Sequence, residues 1–309
     1  MIPSKFKPDI ELAFQKSLNW LSAHHQNFSF RYEGENRDQL LLLKPFAEYL
    51  LTIDVLRSVG VSEPFLADNM TEAWLETKEG EILLELLTAR PDMVDIAGIY
   101  ANFKRWGFSN VRLERWLAKL WDLESTRSLE MPIWRRIAHF YSFSRLGLTK
   151  FNQQLVADSW VASIPEPWTI SDATAYAITH EVFYITDFGK LPNQIAPSIR
   201  DYIRLWLPAW TRAFIAESNW DLTAELVMVA ACLRDTDWVE TPLLRLVRSQ
   251  MDDGFYPAPQ GAGRQLVRQH HTPNRMNFVT NYHTSLVGLL ATALILYLPS
   301  GDVENENKS

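Results

Sequence analysis

The sequence predicts an all-α protein, and three observations carry that expectation. Apolar residues recur at three- and four-residue intervals through nearly the whole chain, almost nothing alternates as a strand does, and Gly, Pro and Asn fall between stretches of helical length. Reading each periodic run between its punctuation gives about twelve helical stretches, at 9–25, 38–59, 63–88, 91–106, 109–124, 131–146, 150–162, 171–187, 195–216, 221–235, 239–252 and 279–298.

An internal repeat pairs these stretches. Val59-Gly60-Val61-Ser62, Trp106-Gly107-Phe108-Ser109 and Leu146-Gly147-Leu148-Thr149 each place Gly where a helix should stop and Ser or Thr where the next should be capped. A tryptophan follows each at similar remove, Trp74, Trp121 and Trp160, and Phe188-Gly189-Lys190-Leu191 repeats the stop without the Ser/Thr start. A stop about every 40 to 50 residues fits six helical hairpins closed into an (α/α)6 toroid, one domain over 1–299 followed by a flexible tail at 300–309. The helices beginning near 38, 91, 131, 171, 221 and 279 would line the inside, each with polar residues near its start. An open two-layer solenoid of the same hairpins is the competing arrangement.

Composition narrows function. With 309 residues, 47% apolar and 22% charged, the chain is long enough to bury a large core, and a formal net charge of −7 gives no basic field for nucleic acid. The single cysteine, Cys232, lies in an apolar run and reads as a buried inert thiol. The first residues show no apolar signal region, which points to a cytoplasmic setting. The apolar run Ser285 to Leu298 spans about 14 residues, short of the roughly 20 a bilayer needs, so no membrane partner is expected.

The polar residues worth chemistry are few. Asp172, Tyr176, His180, Tyr184 and Asp187 step by four, four, four and three, so they share one helix face. Two tyrosines and a histidine suit a cavity better than a solvated surface. Asp221 and Glu225, four apart at the start of another inner helix, put two carboxylates on one face, where they can act as acid and base, although Asp at a helix start is also a common cap. Asp95 occupies a comparable place in an earlier helix. His283 follows Tyr282 near the start of the last inner helix, and an imidazole titrates near neutral pH. Phe255 and Tyr256 are candidate cavity walls. The polar connection that follows, with Arg264, Arg268, His270, His271 and Arg275, has the length of a lid and cations for an anionic group, with plain surface solvation as the safer reading.

Two resemblances follow from these residues. Gln250-Met251-Asp252-Asp253-Gly254-Phe255, followed by Tyr282-His283-Thr284 and Gly288-Leu289, resembles the last repeat of the α/α-toroid superfamily, which includes terpenoid cyclases and protein prenyltransferase β-subunits. In those β-subunits the histidine of Y-H-T binds zinc, so the resemblance carries that ligand to His283 alone; their D-x-C pair has no counterpart near Asp252 and Asp253. A zinc held by His180, Asp221 and His283 is a minor possibility beside the expectation of no cofactor. The segments Thr179 to Gly189, Trp220 to Leu226 and Tyr282 to Leu289 also resemble an uncharacterised bacterial family associated with natural-product biosynthesis.

The chain has no D-D-x-x-D, D-x-D-D, G-x-S-x-G, P-loop, G-x-G-x-x-G or H-E-x-x-H signature, which removes terpene ionisation and several hydrolase and nucleotide classes. The expectation is a tailoring enzyme acting on a small or peptidic substrate. Catalysis falls to His180, His283, Asp187 and Asp221, and substrate contacts to Tyr176, Tyr184, Glu225, Phe255, Tyr256 and Tyr282. The alternative is a non-catalytic scaffold whose groove binds a peptide, a carrier protein or a biosynthetic partner enzyme.

Overall fold

The computed structural model describes residues 6–30, 36–263 and 272–299. Among them every regular element is helical. The α-helices are α1 Lys7–Ala23, α2 Asn36–Ser58, α3 Pro64–Glu76, α4 Glu81–Ala89, α5 Ile96–Arg105, α6 Val111–Asp122, α7 Glu124–Arg127, α8 Ile133–Arg145, α9 Gln153–Ala157, α10 Asp172–Ile185, α11 Pro197–Ala216, α12 Trp220–Cys232, α13 Glu240–Ser249 and α14 Pro273–Tyr297. Arg264, Arg268, His270, His271 and the 300–309 tail lie outside the described residues.

The chain groups into two compact units, one of Met1–Phe28, Val59–Val61 and Trp160–Ser309, the other of Ser29–Ser58 and Ser62–Ser159. In the second, α2 packs on α5 and α5 on α8. In the first, α10 packs on α12 and α12 on α14, while α11, α13 and α1 follow one another as a second series. The helices expected on the inside therefore pack in chain order within each unit.

The four stop glycines hold left-handed backbone, with φ of 100° at Gly60, 89° at Gly107, 75° at Gly147 and 84° at Gly189, a region that favours a residue without a Cβ. The expected caps are displaced. Asn110 and Asn152, not Ser109 and Thr149, take the first backbone N–H groups of α6 and α9, and α3 begins after Glu63 with no side-chain cap. Ser109 instead donates to Glu114 at 3.1 Å.

Two expected helices are broken, for local reasons. The stretch 63–88 divides at Lys78 and Glu79, whose φ values are 50° and 55°. Buried Thr77 donates to the Trp74 carbonyl at 2.6 Å and accepts from the Gly80 N–H at 2.9 Å, satisfying both sides of the break. The same device ends α10: Thr186 donates to the Val182 carbonyl at 2.7 Å, accepts from the Gly189 N–H at 3.1 Å, and Asp187 and Phe188 between them lie at φ 44° and 53°. The stretch 150–162 shrinks to α9 because the N–H groups of Trp160 and Val161 donate to the buried Glu181 carboxylate, at 3.2 and 3.3 Å, rather than to helix carbonyls. By contrast α14 is longer than expected, starting at Pro273 after Thr272.

The core of the first unit is α12, buried at every residue from Asp221 to Cys232. It is enclosed by α10, α11, α13 and α14, which explains its apolarity on all sides. Cys232 is the inert thiol expected, its pKa pushed up to about 12 by burial. At 25 residues α14 is long and apolar enough to cross a membrane, with mean hydropathy 1.3 in its most apolar window, but 78% of that window is buried inside the protein. Packing against α12 and α1 accounts for that composition.

Candidate functional site

Three helices of the first unit, α10, α12 and α14, bring the polar residues of interest together. Ser171 and Thr174 form a reciprocal capping box that fixes the start of α10, and Asn219 accepts the Leu222 N–H to start α12. Because Asn219 is the cap, Asp221 is released from that duty. It lies in the first turn of α12, 4% exposed, and Glu225 one turn later is 1% exposed.

Buried carboxylates need donors, and both have them. Asp221 accepts from the Tyr176 hydroxyl at 2.6 Å on Oδ2, and on Oδ1 from the Thr284 hydroxyl at 2.7 Å and His283 Nδ1 at 2.9 Å. Glu225 accepts from the Thr179 hydroxyl at 2.5 Å, and its Oε2 lies 3.8 Å from His180 Nδ1. His180 Nδ1 is 2.7 Å from the Tyr176 carbonyl, which can only accept, so Nδ1 carries the hydrogen and Nε2 is the basic nitrogen.

Electrostatics follow from this geometry. Burial pushes the Asp221 carboxyl up, but the neighbouring His283 and the hydrogen bonds from His283, Thr284 and Tyr176 outweigh it and hold the group well below the usual carboxylate range. Burial also drives the Tyr176 hydroxyl far above its ordinary value, reinforced by the charges of Asp221 and Glu225, so Tyr176 serves as a neutral donor. With Asp221 ionised, the bond from His283 fixes the hydrogen on Nδ1 of that ring as well. The side chains of His180 and His283 remain 22% and 27% exposed, so each imidazole joins a buried carboxylate to an accessible edge.

The structure thus gathers Tyr176, His180, Asp221, Glu225 and His283. Tyr184 stays nearby, its ring 6.1 Å from that of His180. The others are elsewhere. Asp187 falls beyond the end of α10 in the Thr186 turn and meets Lys190 at 3.3 Å. Tyr256 is fully buried with its ring against Gly288, and Tyr282, 4% exposed, stacks on Phe278 at 5.8 Å in an aromatic cluster with Phe28, so both are core residues rather than cavity walls. Phe255 is half-buried in the turn after α13, which is held by Gln250: its amide donates to the Ala13 carbonyl at 3.0 Å, Ser17 Oγ at 2.8 Å and the Gly254 carbonyl at 3.0 Å. The Gln250 to Phe255 motif therefore docks a turn onto α1. Arg275 donates to the Asn27 carbonyl at 2.6 Å and lies over Phe278 rather than awaiting an anion. Asp95, in the second unit, pairs at the surface with Arg135 at 2.8 Å.

Two residues of the cluster escape sequence reasoning, Thr179 and Thr284. Each adjoins one of the histidines in the chain and each supplies a carboxylate's hydroxyl donor. Among the described residues, the side chains able to share a metal ion are Asp221, Glu225 and His283, whose ligand atoms lie within 4.8 Å of one another. Glu225 thus takes the place that the sequence gave to His180.

Fold and site define an all-helical protein with a buried carboxylate pair flanked by two imidazoles. Residues 14–293 match the family described as a domain of unknown function, DUF6895, and the chain belongs to that family. No curated protein and no solved structure matches the chain.

Proposed function

We propose that the chain is an enzyme moving protons on and off a small or peptidic substrate, as a tailoring step of natural-product biosynthesis in the cytoplasm. The observation that carries this reading is the bond of 2.9 Å between His283 Nδ1 and Asp221 Oδ1 beneath a ring that keeps an accessible edge. An ionised carboxylate behind an imidazole holds its tautomer and stabilises the imidazolium that forms when Nε2 takes a proton. His180, with Nε2 as its basic nitrogen and Glu225 at 3.8 Å, is the second proton carrier. Two imidazoles, one from α10 and one from α14, set against the carboxylates of α12, supply an acid and a base for isomerisation, cyclisation, elimination or hydrolysis. The packing of α10 on α12 and of α12 on α14 within the first unit is the frame of this site.

A non-catalytic scaffold is the second reading, favoured by the engagement of both Asp221 oxygens with protein donors. Turnover separates the two. Incubating the protein with a desalted cell extract in deuterium oxide, followed by mass spectrometry, should show metabolites that gain deuterium or change mass. His283→Ala and His180→Ala should abolish the change while circular dichroism stays native. Identical spectra for wild type and both folded variants would sink the acid–base reading.

A further inference from the structure

We infer that Asp221, Glu225 and His283 form a binding site for a first-row divalent transition-metal ion of the Zn2+ type. The inference rests on the same cluster as the acid–base reading, but gives His283 to the ion and leaves His180, beside Glu225, as the proton carrier.

Geometry is the first support. One oxygen from each carboxylate and one ring nitrogen lie within 4.8 Å of one another. Tetrahedral zinc with bonds of about 2.0–2.2 Å separates its ligand atoms by roughly 3.3–3.5 Å, so the His283–Asp221 contact of 2.9 Å would open slightly and the wider spacings, none above 4.8 Å, would close around the ion. Both carboxylates rise from one helix, α12, one turn apart, and the imidazole comes from α14 packed along it. Ligands on packed helices hold their spacing better than ligands on loops.

The surroundings are the second support. Each carboxylate already has a hydroxyl that orients it, Tyr176 and Thr284 on Asp221 and Thr179 on Glu225. Such outer partners hold metal ligands in place in metal sites generally. A dication would also offset two carboxylates brought within a turn of each other in the protein interior, where like charges repel strongly. Three protein ligands leave a coordination position for water or substrate, and the His283 side chain is 27% exposed.

Co2+ and Zn2+ are the probes. Full-length protein is freed of metal with a chelator, checked for native circular dichroism, and titrated with Co2+ while its visible d–d absorption is followed, then with Zn2+ in competition. The expected result is one Co2+ per chain with the intense bands of tetrahedral coordination, displaced by Zn2+. Glu225→Gln and His283→Gln should each weaken binding by about a hundredfold or more, and Thr284→Val, which leaves all three ligands, by about tenfold. Should a glutamine variant fail to fold, the wild-type spectrum still decides, since an imidazole and two carboxylates give tetrahedral bands that surface sites do not. Chelated, folded wild type that takes up no Co2+, or tight binding that survives both glutamine variants, overturns the site. Deuterium exchange by the chelated protein would retain the acid–base reading without the metal. Stoichiometric metal with no exchange in either form would retain the metal alone.

Discussion

His283 donates from Nδ1 to Oδ1 of Asp221 at 2.9 Å, joining α14 to the first turn of α12 within a cluster of buried polar side chains. The same oxygen takes the Thr284 hydroxyl and the other oxygen takes Tyr176, so one carboxylate fastens three helices. Asp221→Asn keeps the shape but removes the charge its donors face, and should lower unfolding free energy by about 3 kcal/mol. Tyr176→Phe and Thr284→Val should each cost about 1–2 kcal/mol, and their double variant less than the sum if the remaining donors tighten. Urea denaturation of the four variants and the wild type measures this, and an Asp221→Asn variant as stable as wild type would contradict the network.

His139 sets a pH dependence in the second unit. It is buried on α8 against Trp121 and Phe143, and its Nε2 bonds the Thr126 carbonyl at 3.1 Å. Burial lowers its pKa below 6.5, more than the Thr126 carbonyl and Asp95 raise it. A depressed histidine is neutral in the folded state, so its contribution is complete above the unfolded value near 6.5 and is lost as pH falls from there toward the folded value. Wild type should therefore lose more stability between pH 7.5 and 5.5 than His139→Gln, which cannot titrate. Equal losses in paired urea melts would remove His139 from the account.

How much of this was legible in the sequence depends on period and punctuation. Asp221 and Glu225 were legible as a pair because spacing by four puts residues on one face whatever surrounds them. The stripe Tyr176 to Tyr184 was legible for the same reason, and Asp187 was not excluded because the Thr186 turn that ends the helix before it lacks a strong composition signal. Thr77 repeats that turn, and only the pair of them, each with Gly three residues on, makes the device visible. Tyr256 and Tyr282 were misplaced because an aromatic near a histidine reads alike as cavity wall or core; Gly288 beneath the Tyr256 ring decides for core. Thr179 and Thr284 stayed hidden because a helical threonine ordinarily bonds its own backbone, and nothing in the sequence reveals a carboxylate on a facing helix.

Asp54 carries the comparable buried charge of the second unit. It is 2% exposed on α2, and Arg145 on α8 reaches it at 2.5 Å while Arg105 on α5 stands at 3.2 Å. Arg145 also donates to Asn102 at 2.9 Å, so this one guanidinium ties α8 to both α2 and α5. Arg145→Met retains the aliphatic stem but leaves the carboxylate with Arg105 alone, and should cost about 3 kcal/mol. Arg105→Met, at a more exposed position, should cost less. Chemical denaturation that ranked the two the other way would show that Arg105 is the principal partner.

Gly288 is the clearest steric constraint on α14. The Tyr256 N–H donates to Ser285 Oγ at 3.1 Å, which sets the Tyr256 ring over the helix one turn on. A Cβ at Gly288 would stand 2.4 Å from Cδ2 and 2.6 Å from Cε2 of that fully buried ring. Gly288→Ala gains about 1 kcal/mol of helix propensity and loses about 1–3 kcal/mol to overpacking, and with a clash this close the second effect should win. The net loss should shrink or reverse in a Tyr256→Leu background, where the flat ring is gone, even though that change opens a cavity of its own. Thermal melts of the single and double variants read the coupling directly, and a Gly288→Ala effect that is the same with and without the ring would mean that the helix shifts away from it.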